Sequence, residues 1–241
     1  MRKWVLVLIL GLSCTSIAAM ADNVSITFDN VTGSPSGGGE VVYPYNMQVT
    51  GTPGTVAMAC DTYAYHIQTS ESWTASVIEV SNLTTSNVSQ TLFGASTYDG
   101  VTNPLHQSGL TAANYVTLYQ EAAYLFLQLS THSADAVGIN FAIWQLMYPS
   151  TPGYAGTGNG TITDPTTSAY WIAQAQGANL SISGEFNGVA IFTPVAGSAS
   201  GYPSGQAIPQ EFIGPVPEPG TLALLGTGLV SLAGVIRKRF S

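Results

Sequence analysis

The chain has 241 residues, of which 45% are hydrophobic and only 7% are charged, and its formal net charge is −8 at pH 7. Residues 22–215 carry twelve of the thirteen acidic side chains and none of the five basic ones. This composition excludes a disordered chain. It also excludes nucleic acid as a partner, because binding a phosphate backbone depends on Lys and Arg. Lys–Asn isopeptide cross-links are ruled out for the same segment.

A secretory signal peptide is predicted at residues 1–21. Arg2-Lys3 precedes an apolar run, and Ala19-Met20-Ala21 supplies the small-x-small pattern at which such peptides are cleaved. Cleavage there removes Cys14 and leaves Cys60 without a partner for an internal disulfide. Cys60 then forms an intermolecular disulfide, remains a free or reactive thiol, or is a small buried side chain. The last alternative is common, because free cysteine is among the most buried residue types.

The first half of the remaining chain is predicted to be mostly β. Apolar and polar residues alternate with a period of two, as in half-buried strands. The predicted strands cover residues 24–28, 40–45, 47–50, 55–60 and 73–80. Residues 81–109 are rich in Ser, Thr and Asn and are predicted to be mainly loop.

Helical periodicity begins after residue 110. Thr111 is a predicted N-cap, and apolar residues then recur every three or four positions up to Leu129. A second helical run, residues 134–148, stops before Pro149, which cannot continue a helix. The two runs predict a helical hairpin packed on the sheet. Further predicted elements are a helix at 168–176 and strands at 180–183 and 189–194. The prediction is therefore an α+β domain over residues 22–195, β-rich with an inserted helical hairpin.

The C-terminal region is predicted to leave the domain and enter a membrane. Residues 196–215 are rich in small residues, Gly and Pro, and predict a spacer. An uncharged run at 221–236 is near the short limit for a transmembrane helix, and Arg237-Lys238-Arg239 follows it. Basic residues directly after an apolar helix stay on the cytoplasmic side, which leaves the preceding segment outside the cytoplasm.

Residues 216–241 resemble the PEP-CTERM sorting signal. The order of Pro217-Glu218-Pro219, a short apolar helix and the basic cluster Arg237, Lys238 and Arg239 carries the resemblance. The resemblance implies that an exosortase, a membrane-embedded Cys protease, processes the chain near Pro-Glu-Pro in bacteria that build an exopolysaccharide or biofilm matrix. The alternative, a plain single-pass anchor, explains the helix and the basic residues but not the Pro-Glu-Pro.

The central region resembles the thioester domains of bacterial surface adhesins. Cys60-Asp61 at a strand end and Ala142-Ile143-Trp144 on the second helix carry this resemblance. In that family the Cys thiol displaces ammonia from a Gln carboxamide, and the buried thioester then captures an amine on a target surface. Here Asn140 stands at the Gln position and has about 1.5 Å less reach. The alternatives are a buried thiol beside a buried amide, or packing around Trp144 alone; Gln120 and Gln145 are the other nearby amides.

Other candidate sites are less specific. His66, His106 and His132 lack the spacing of a metal site, so no metal or cofactor is predicted. Asp61 and Glu121 are a candidate acid/base pair of the kind glycosidases use, or else an ordinary strand-end and helix carboxylate. Several aromatic residues could form a sugar-stacking surface or fill the core; they are Tyr63, Tyr65, Trp73, Tyr154 and Trp171.

Two functions follow from these patterns. The first is an exported, non-enzymatic protein of the cell surface or extracellular matrix, adhesive or structural. Its partners would be an exosortase, the membrane through the C-terminal helix, and an extracellular polysaccharide or surface protein. The alternative is a secreted hydrolase that acts on matrix polysaccharide. An adhesive thioester predicts a domain mass lower by one ammonia, whereas a hydrolase predicts sugar release that depends on Asp61 or Glu121.

Overall fold

The computed structural model describes residues 23–156, 163–181, 184–200 and 209–217. The predicted signal peptide and the predicted apolar helix at 221–236 lie outside these residues. Within the described ranges, no helix has both the length and the hydrophobicity that crossing a bilayer requires.

In the described part of the chain, ten strands form one closed barrel and two small hairpins. In chain order they are β1 (Asn23–Asn30), β2 (Ser36–Gly37), β3 (Glu40–Val41), β4 (Tyr45–Val49), β5 (Thr55–Cys60), β6 (Ser72–Glu79), β7 (Thr97–Tyr98), β8 (Val101–Thr102), β9 (Val189–Pro194) and β10 (Phe212–Pro215). The barrel is antiparallel in the order β1-β4-β5-β10-β9-β6, and β6 closes it against β1. The hairpins are β2-β3 and β7-β8.

The barrel follows from the alternation of apolar residues along its strands, because successive side chains point to opposite faces. On β5, Met58 and Cys60 belong to the interior cluster, whereas Ala59 faces the helices. The interior residues fill the barrel, as expected for a small closed sheet. They are Ile26, Phe28, Tyr45, Met47, Val49, Met58, Cys60, Trp73, Ala75, Ala190, Phe192 and Phe212.

Three helices cover one outer wall of the barrel. They are α1 (Ala112–Gln128), α2 (Ala136–Met147) and α3 (Ser168–Gly177). Thr111 and Asn114 form a capping box at the start of α1, as the sequence predicts for Thr111. The helices share a core with Ala59, Ile191 and Ile213, which point outward from β5, β9 and β10. The predicted α+β class is confirmed as a β-rich domain with three helices and a closed six-stranded barrel.

The spacer prediction is wrong for the end of residues 196–215. Residues 209–214 are buried, and β10 pairs with both β5 and β9 in the middle of the helix-covered wall. The pattern misled because β10 has only four residues and contains both Gly214 and Pro215. The strand predicted at 180–183 is also wrong where it is described, because Leu180 and Ser181 form a turn.

Candidate functional site

The thiol of Cys60 lies inside the barrel at the end of β5, fully buried. Its sulfur contacts the Thr62 backbone, 3.2 Å from the carbonyl oxygen and 3.3 Å from the amide nitrogen. Burial raises the pKa of this thiol well above its usual value, and the neighbouring Asp61 acts in the same direction. The Trp144 indole N–H lowers that pKa in part. A buried, protonated thiol is a poor nucleophile.

Asn140 on α2 connects that helix to the barrel. Its Oδ1 accepts a hydrogen bond from the Tyr43 amide at 3.0 Å, and its Nδ2 donates to the Cys60 carbonyl oxygen at 3.0 Å. The structure therefore brings the two predicted residues together, but the carboxamide contacts the backbone of Cys60 and not its sulfur. Both polar atoms of the Asn140 side chain therefore form hydrogen bonds, as expected for a buried amide with a structural role.

Asp61 lies beside Glu211, and both carboxyl groups are fully buried. Glu211 accepts hydrogen bonds from Tyr119 Oη at 2.5 Å, from the Leu92 amide at 2.7 Å and from the Thr193 hydroxyl. Asp61 Oδ1 accepts from Thr62 Oγ1 at 2.9 Å, whereas Asp61 Oδ2 has no donor. A proton on Oδ2 would donate to Glu211 and satisfy both groups.

Burial raises the pKa of Asp61 well above its usual range, and the charge of Glu211 raises it further. Burial also raises the pKa of Glu211, although its hydrogen bonds from Thr193, Tyr119 and Leu92 oppose that shift. Because Glu211 has more donors, it holds the negative charge of the pair and Asp61 holds the proton. Asp61 is thus a structural acid of the interior.

Glu121 lies elsewhere, in a groove among the three helices. The groove is lined by side chains that include Asn114, Gln145 and Gln176. Burial raises the pKa of Glu121. Asp61, by contrast, is enclosed with Glu211 and has no exposed surface. The candidate acid/base pair of Asp61 and Glu121 is therefore not assembled around a common cavity, and a glycosidase needs both carboxyl groups beside the scissile bond.

An open cleft of about 450 Å³ lies at the end of the barrel where β5 finishes, and we call it the barrel-end cleft. Its rim is formed by the β2-β3 hairpin and by the loop from Thr62 to Thr69. The lining residues are Phe28, Val31, Gly39, Glu40, Val41, Tyr45, Thr62, Tyr63, Tyr65, His66, Ile67, Gln68, Thr69, Trp144 and Gln210. The cleft thus lies directly above Cys60, whose backbone and sulfur contact Thr62.

Aromatic rings form one wall of the barrel-end cleft. The Tyr63 and Trp144 rings lie 5.3 Å apart between centroids, and Phe141 lies 4.9 Å from Trp144. Tyr154 extends the cluster, 5.3 Å from Phe141. The glycine at position 38 has a positive φ of 61°, and a Cβ there would lie 2.8 Å from Phe141, so glycine lets the β2-β3 turn reach this cluster.

Four of the five predicted sugar-stacking residues divide into two groups, and the fifth, Tyr154, is half-buried against Phe141 and does not line the cleft. Tyr63 and Tyr65 line the barrel-end cleft and are half-buried, which leaves part of each ring accessible. Trp73 is buried inside the barrel at 2% exposure, and Trp171 is buried among the helices at 3%. The second group therefore fills the core. Trp144, predicted only as part of the helix motif, also lines the cleft, as do Phe28 and Tyr45.

Two residues of the cleft wall keep a buried polar atom without an ordinary hydrogen-bond partner. Gln210 donates through Nε2 to the carbonyl oxygens of Thr62 and Tyr65, but its Oε1 has no donor. The Trp144 Nε1–H has no acceptor of normal geometry, although it lies close enough to Cys60 to affect the thiol. Buried polar groups are nearly always hydrogen-bonded, so these two atoms are among the exceptions in the described residues.

The pairing register of β10 shows that the chain leaves the barrel at the end opposite the barrel-end cleft. β10 begins at Phe212, which pairs with Cys60 at the cleft end. It ends at Pro215, which pairs with Val189 at the other end, and the Val216 amide donates to the Gly188 carbonyl oxygen there. The chain therefore leaves the barrel at the end that faces away from the cleft.

The three histidines are dispersed in the structure. His66 lines the barrel-end cleft, His106 stacks on Tyr115 and His132 packs edge-on to Trp171. Across the described residues, His, Cys, Asp and Glu side chains form no group of three that could hold a metal ion.

Residues 215–239 match the PEP-CTERM protein-sorting motif. The match begins at the last residue of β10 and covers Pro217-Glu218-Pro219 and the basic cluster. The motif implies export, transient anchoring in the membrane and processing by an exosortase, with delivery to the cell surface. Comparison with curated proteins and with solved structures gives no match for the chain. The resemblance to adhesin thioester domains has no support from these comparisons.

Sequence reasoning missed Gln210 and Glu211 because both fall in the predicted spacer. One signal was present: Phe212 and Ile213 form an apolar pair between Pro209 and Gly214. Such a pair is too short to identify a strand by periodicity. The donors to the Glu211 carboxylate are 18 to 119 residues away along the chain and Asp61 is farther still, so no local pattern reveals the carboxyl pair.

Proposed function

We propose that this chain is a non-enzymatic adhesive or structural protein of the cell surface or extracellular matrix. The sorting motif supports the location, since exosortase substrates are exported. The barrel-end cleft supports the adhesive role, because aromatic rings and uncharged polar groups at one end of a rigid barrel form a typical binding surface. The observation that carries the proposal is the position of this cleft at the end of the barrel opposite the sorting motif.

This arrangement suits a protein held to a membrane by its C-terminal end. β10 enters the sorting motif directly, so the barrel end near Pro215 is held towards the membrane before processing. The opposite end then points into the matrix, and a polysaccharide or surface protein reaches the cleft without crossing the anchored end. Twelve carboxylates and no basic residue between positions 22 and 215 keep the domain soluble and weaken non-specific binding to acidic surfaces.

Binding by the cleft is proposed to be non-covalent. The Asn140 carboxamide is held by Tyr43 and by the Cys60 carbonyl oxygen, which opposes its use as an acyl donor. The intact mass of the purified domain tests this point. An unmodified mass with one titratable thiol supports non-covalent adhesion. A mass lower by one ammonia, with methylamine uptake that Cys60→Ala abolishes, would instead show a thioester between Cys60 and Asn140.

The adhesive role is tested by co-sedimentation of the protein with exopolysaccharide purified from its own host. We expect the folded protein to sediment when the polymer is present and to remain in the supernatant when the polymer is left out. A protein that releases sugars from the polymer, in a manner that Asp61→Asn or Glu121→Gln prevents, would favour the hydrolase. A folded protein that neither sediments nor releases sugars would contradict the adhesive proposal.

Sorting is tested separately by cell fractionation. Replacement of Pro217, Glu218 and Pro219 by Ala is expected to leave full-length protein in the inner membrane, whereas the unchanged chain reaches the surface. Unchanged delivery of the triple variant would contradict processing at this motif. A control variant with Ala at the exposed residues Ser81, Thr85 and Ser89 leaves the motif intact.

A further inference from the structure

We propose that the barrel-end cleft is a saccharide-binding site that prefers neutral sugars over anionic ones. This inference rests on the proposed adhesive function and specifies its ligand. The volume of about 450 Å³ lies within the range of about 300–1,000 Å³ that is common for small-molecule sites.

The aromatic wall provides apolar faces for the C–H groups of a sugar ring. Tyr63 is half-buried, and its ring is supported from behind by Trp144 and Phe141 at centroid distances of 5.3 and 6.3 Å. This packing fixes the orientation of the Tyr63 ring before any ligand arrives. A preoriented aromatic side chain loses little conformational entropy on binding. Tyr65 adds a second accessible ring on the same rim.

The polar groups of the cleft fit hydroxyl ligands, which both donate and accept hydrogen bonds. Gln210 Oε1 is a buried acceptor without a donor in the cleft wall, whereas the Trp144 Nε1–H is directed to the Cys60 sulfur. Gln68 and Thr69 are exposed on the rim and add an amide and a hydroxyl. Amide and hydroxyl groups on the wall and rim of the cleft match the dual character of a sugar hydroxyl.

The charge of the cleft determines which saccharides it accepts. Glu40 is its one carboxylate, and neither Lys nor Arg lines it. The segment from residue 22 to 215 contains no Lys or Arg at all, so the surrounding surface also repels anions. A uronate polymer brings a carboxylate on every sugar and finds no cation to pair with. Neutral polymers avoid this repulsion, and their hydroxyl groups meet uncharged partners.

Calorimetry with matched oligosaccharides tests the inference on the full chain, purified in detergent from cells that lack exosortase. The probes are gluco-, manno- and galacto-configured neutral hexasaccharides, each with the corresponding hexauronate. We expect at least one neutral hexamer to bind and its uronate to bind about fivefold more weakly at low salt. Tyr63→Ala should weaken the neutral hexamer about tenfold. Tyr124→Ala, which removes an aromatic ring from α1 outside the cleft, should leave its affinity unchanged.

A second variant keeps the test independent of any effect of Tyr63 on folding. Thr69→Lys changes an exposed rim residue and should raise uronate affinity relative to the neutral hexamer by about threefold. The inference is overturned if no neutral hexamer binds, if uronates bind at least as well, or if Tyr63→Ala binds like the unchanged chain. If the chain still sediments with host exopolysaccharide in those cases, adhesion stands and the assigned site is wrong. If sedimentation also fails, the proposed function is wrong as well.

Discussion

Among single residues, Asp61 has the least usual environment, because it is a fully buried acid beside Glu211. Its pKa is raised well above the value of about 3.9 expected in the unfolded chain. Above about pH 4 the unfolded chain therefore releases a proton that the folded chain keeps, and the free energy of unfolding falls as pH rises towards the folded pKa. Most proteins with salt-bridged carboxylates show the opposite trend over this range.

Urea unfolding at pH 5 and pH 7 checks this first prediction. We expect the domain to lose about 1–3 kcal/mol of stability between these values, since one proton corresponds to about 1.4 kcal/mol per pH unit. Asp61→Asn should reduce the pH dependence of the free energy of unfolding. The new Asn amide can donate to Glu211 at any pH, and its oxygen can still accept from Thr62. Asp99→Asn, on an exposed turn, is the control and should keep the slope. A stability that rises with pH would refute the proton assignment.

Cys60 gives a second prediction at this scale. Because the thiol is fully buried and burial raises its pKa, it should not react with a disulfide reagent at pH 8 in the folded protein. Unfolding in guanidinium chloride should release one reactive thiol per chain in protein that lacks the predicted signal peptide and therefore Cys14. Rapid labelling of the folded protein would mean that the Cys60 side of the cleft opens in solution.

At the level of elements, local signals identify some segments and not others. The helix α1 is predictable because Thr111 caps it and its apolar residues recur at helical spacing over many turns. The strand β5 is predictable because residues 55–60 alternate, and its bounds are Thr55–Cys60 as predicted. β10 is not predictable in this way, because four residues with Gly and Pro gain their structure only from pairing with distant β5 and β9. The closure of the barrel depends on the same distant pairings.

The packing of β10 yields a third prediction. A Cβ at Gly214 would lie 2.7 Å from Met58 Cγ and 3.3 Å from Phe192 Cε2, inside a filled barrel. Gly214→Ala should therefore lower the free energy of unfolding by about 1–3 kcal/mol. The matched control is Gly177→Ala, since nothing lies within 4 Å of a Cβ there. The control should change stability by about 0.5 kcal/mol or less. Urea unfolding measures the stability of both variants. Equal effects of the two changes would contradict tight packing around β10.

For the whole molecule, the contact between barrel and sorting motif limits where processing can occur. The motif starts at Pro215, and the Val216 amide is hydrogen-bonded to Gly188. Cleavage before Pro215 would cut within a barrel strand, and proteases act on accessible, locally unfolded segments. We expect the released protein to end at or after Val216, which mass spectrometry of its C-terminal peptide checks. A product that ends before Phe212 would show that the barrel is not closed when the exosortase acts.

The place of β10 in the chain also determines when the domain can fold. Five barrel strands precede residue 195, but the wall between β5 and β9 is completed only by residues 212–215. Until these residues have crossed the membrane, β5 and β9 present open edges with unpaired backbone groups, which invite association with other chains. The exported segment is therefore vulnerable to aggregation until the end of its own translocation. Envelope chaperones would benefit this protein more than one whose first strands complete its sheet.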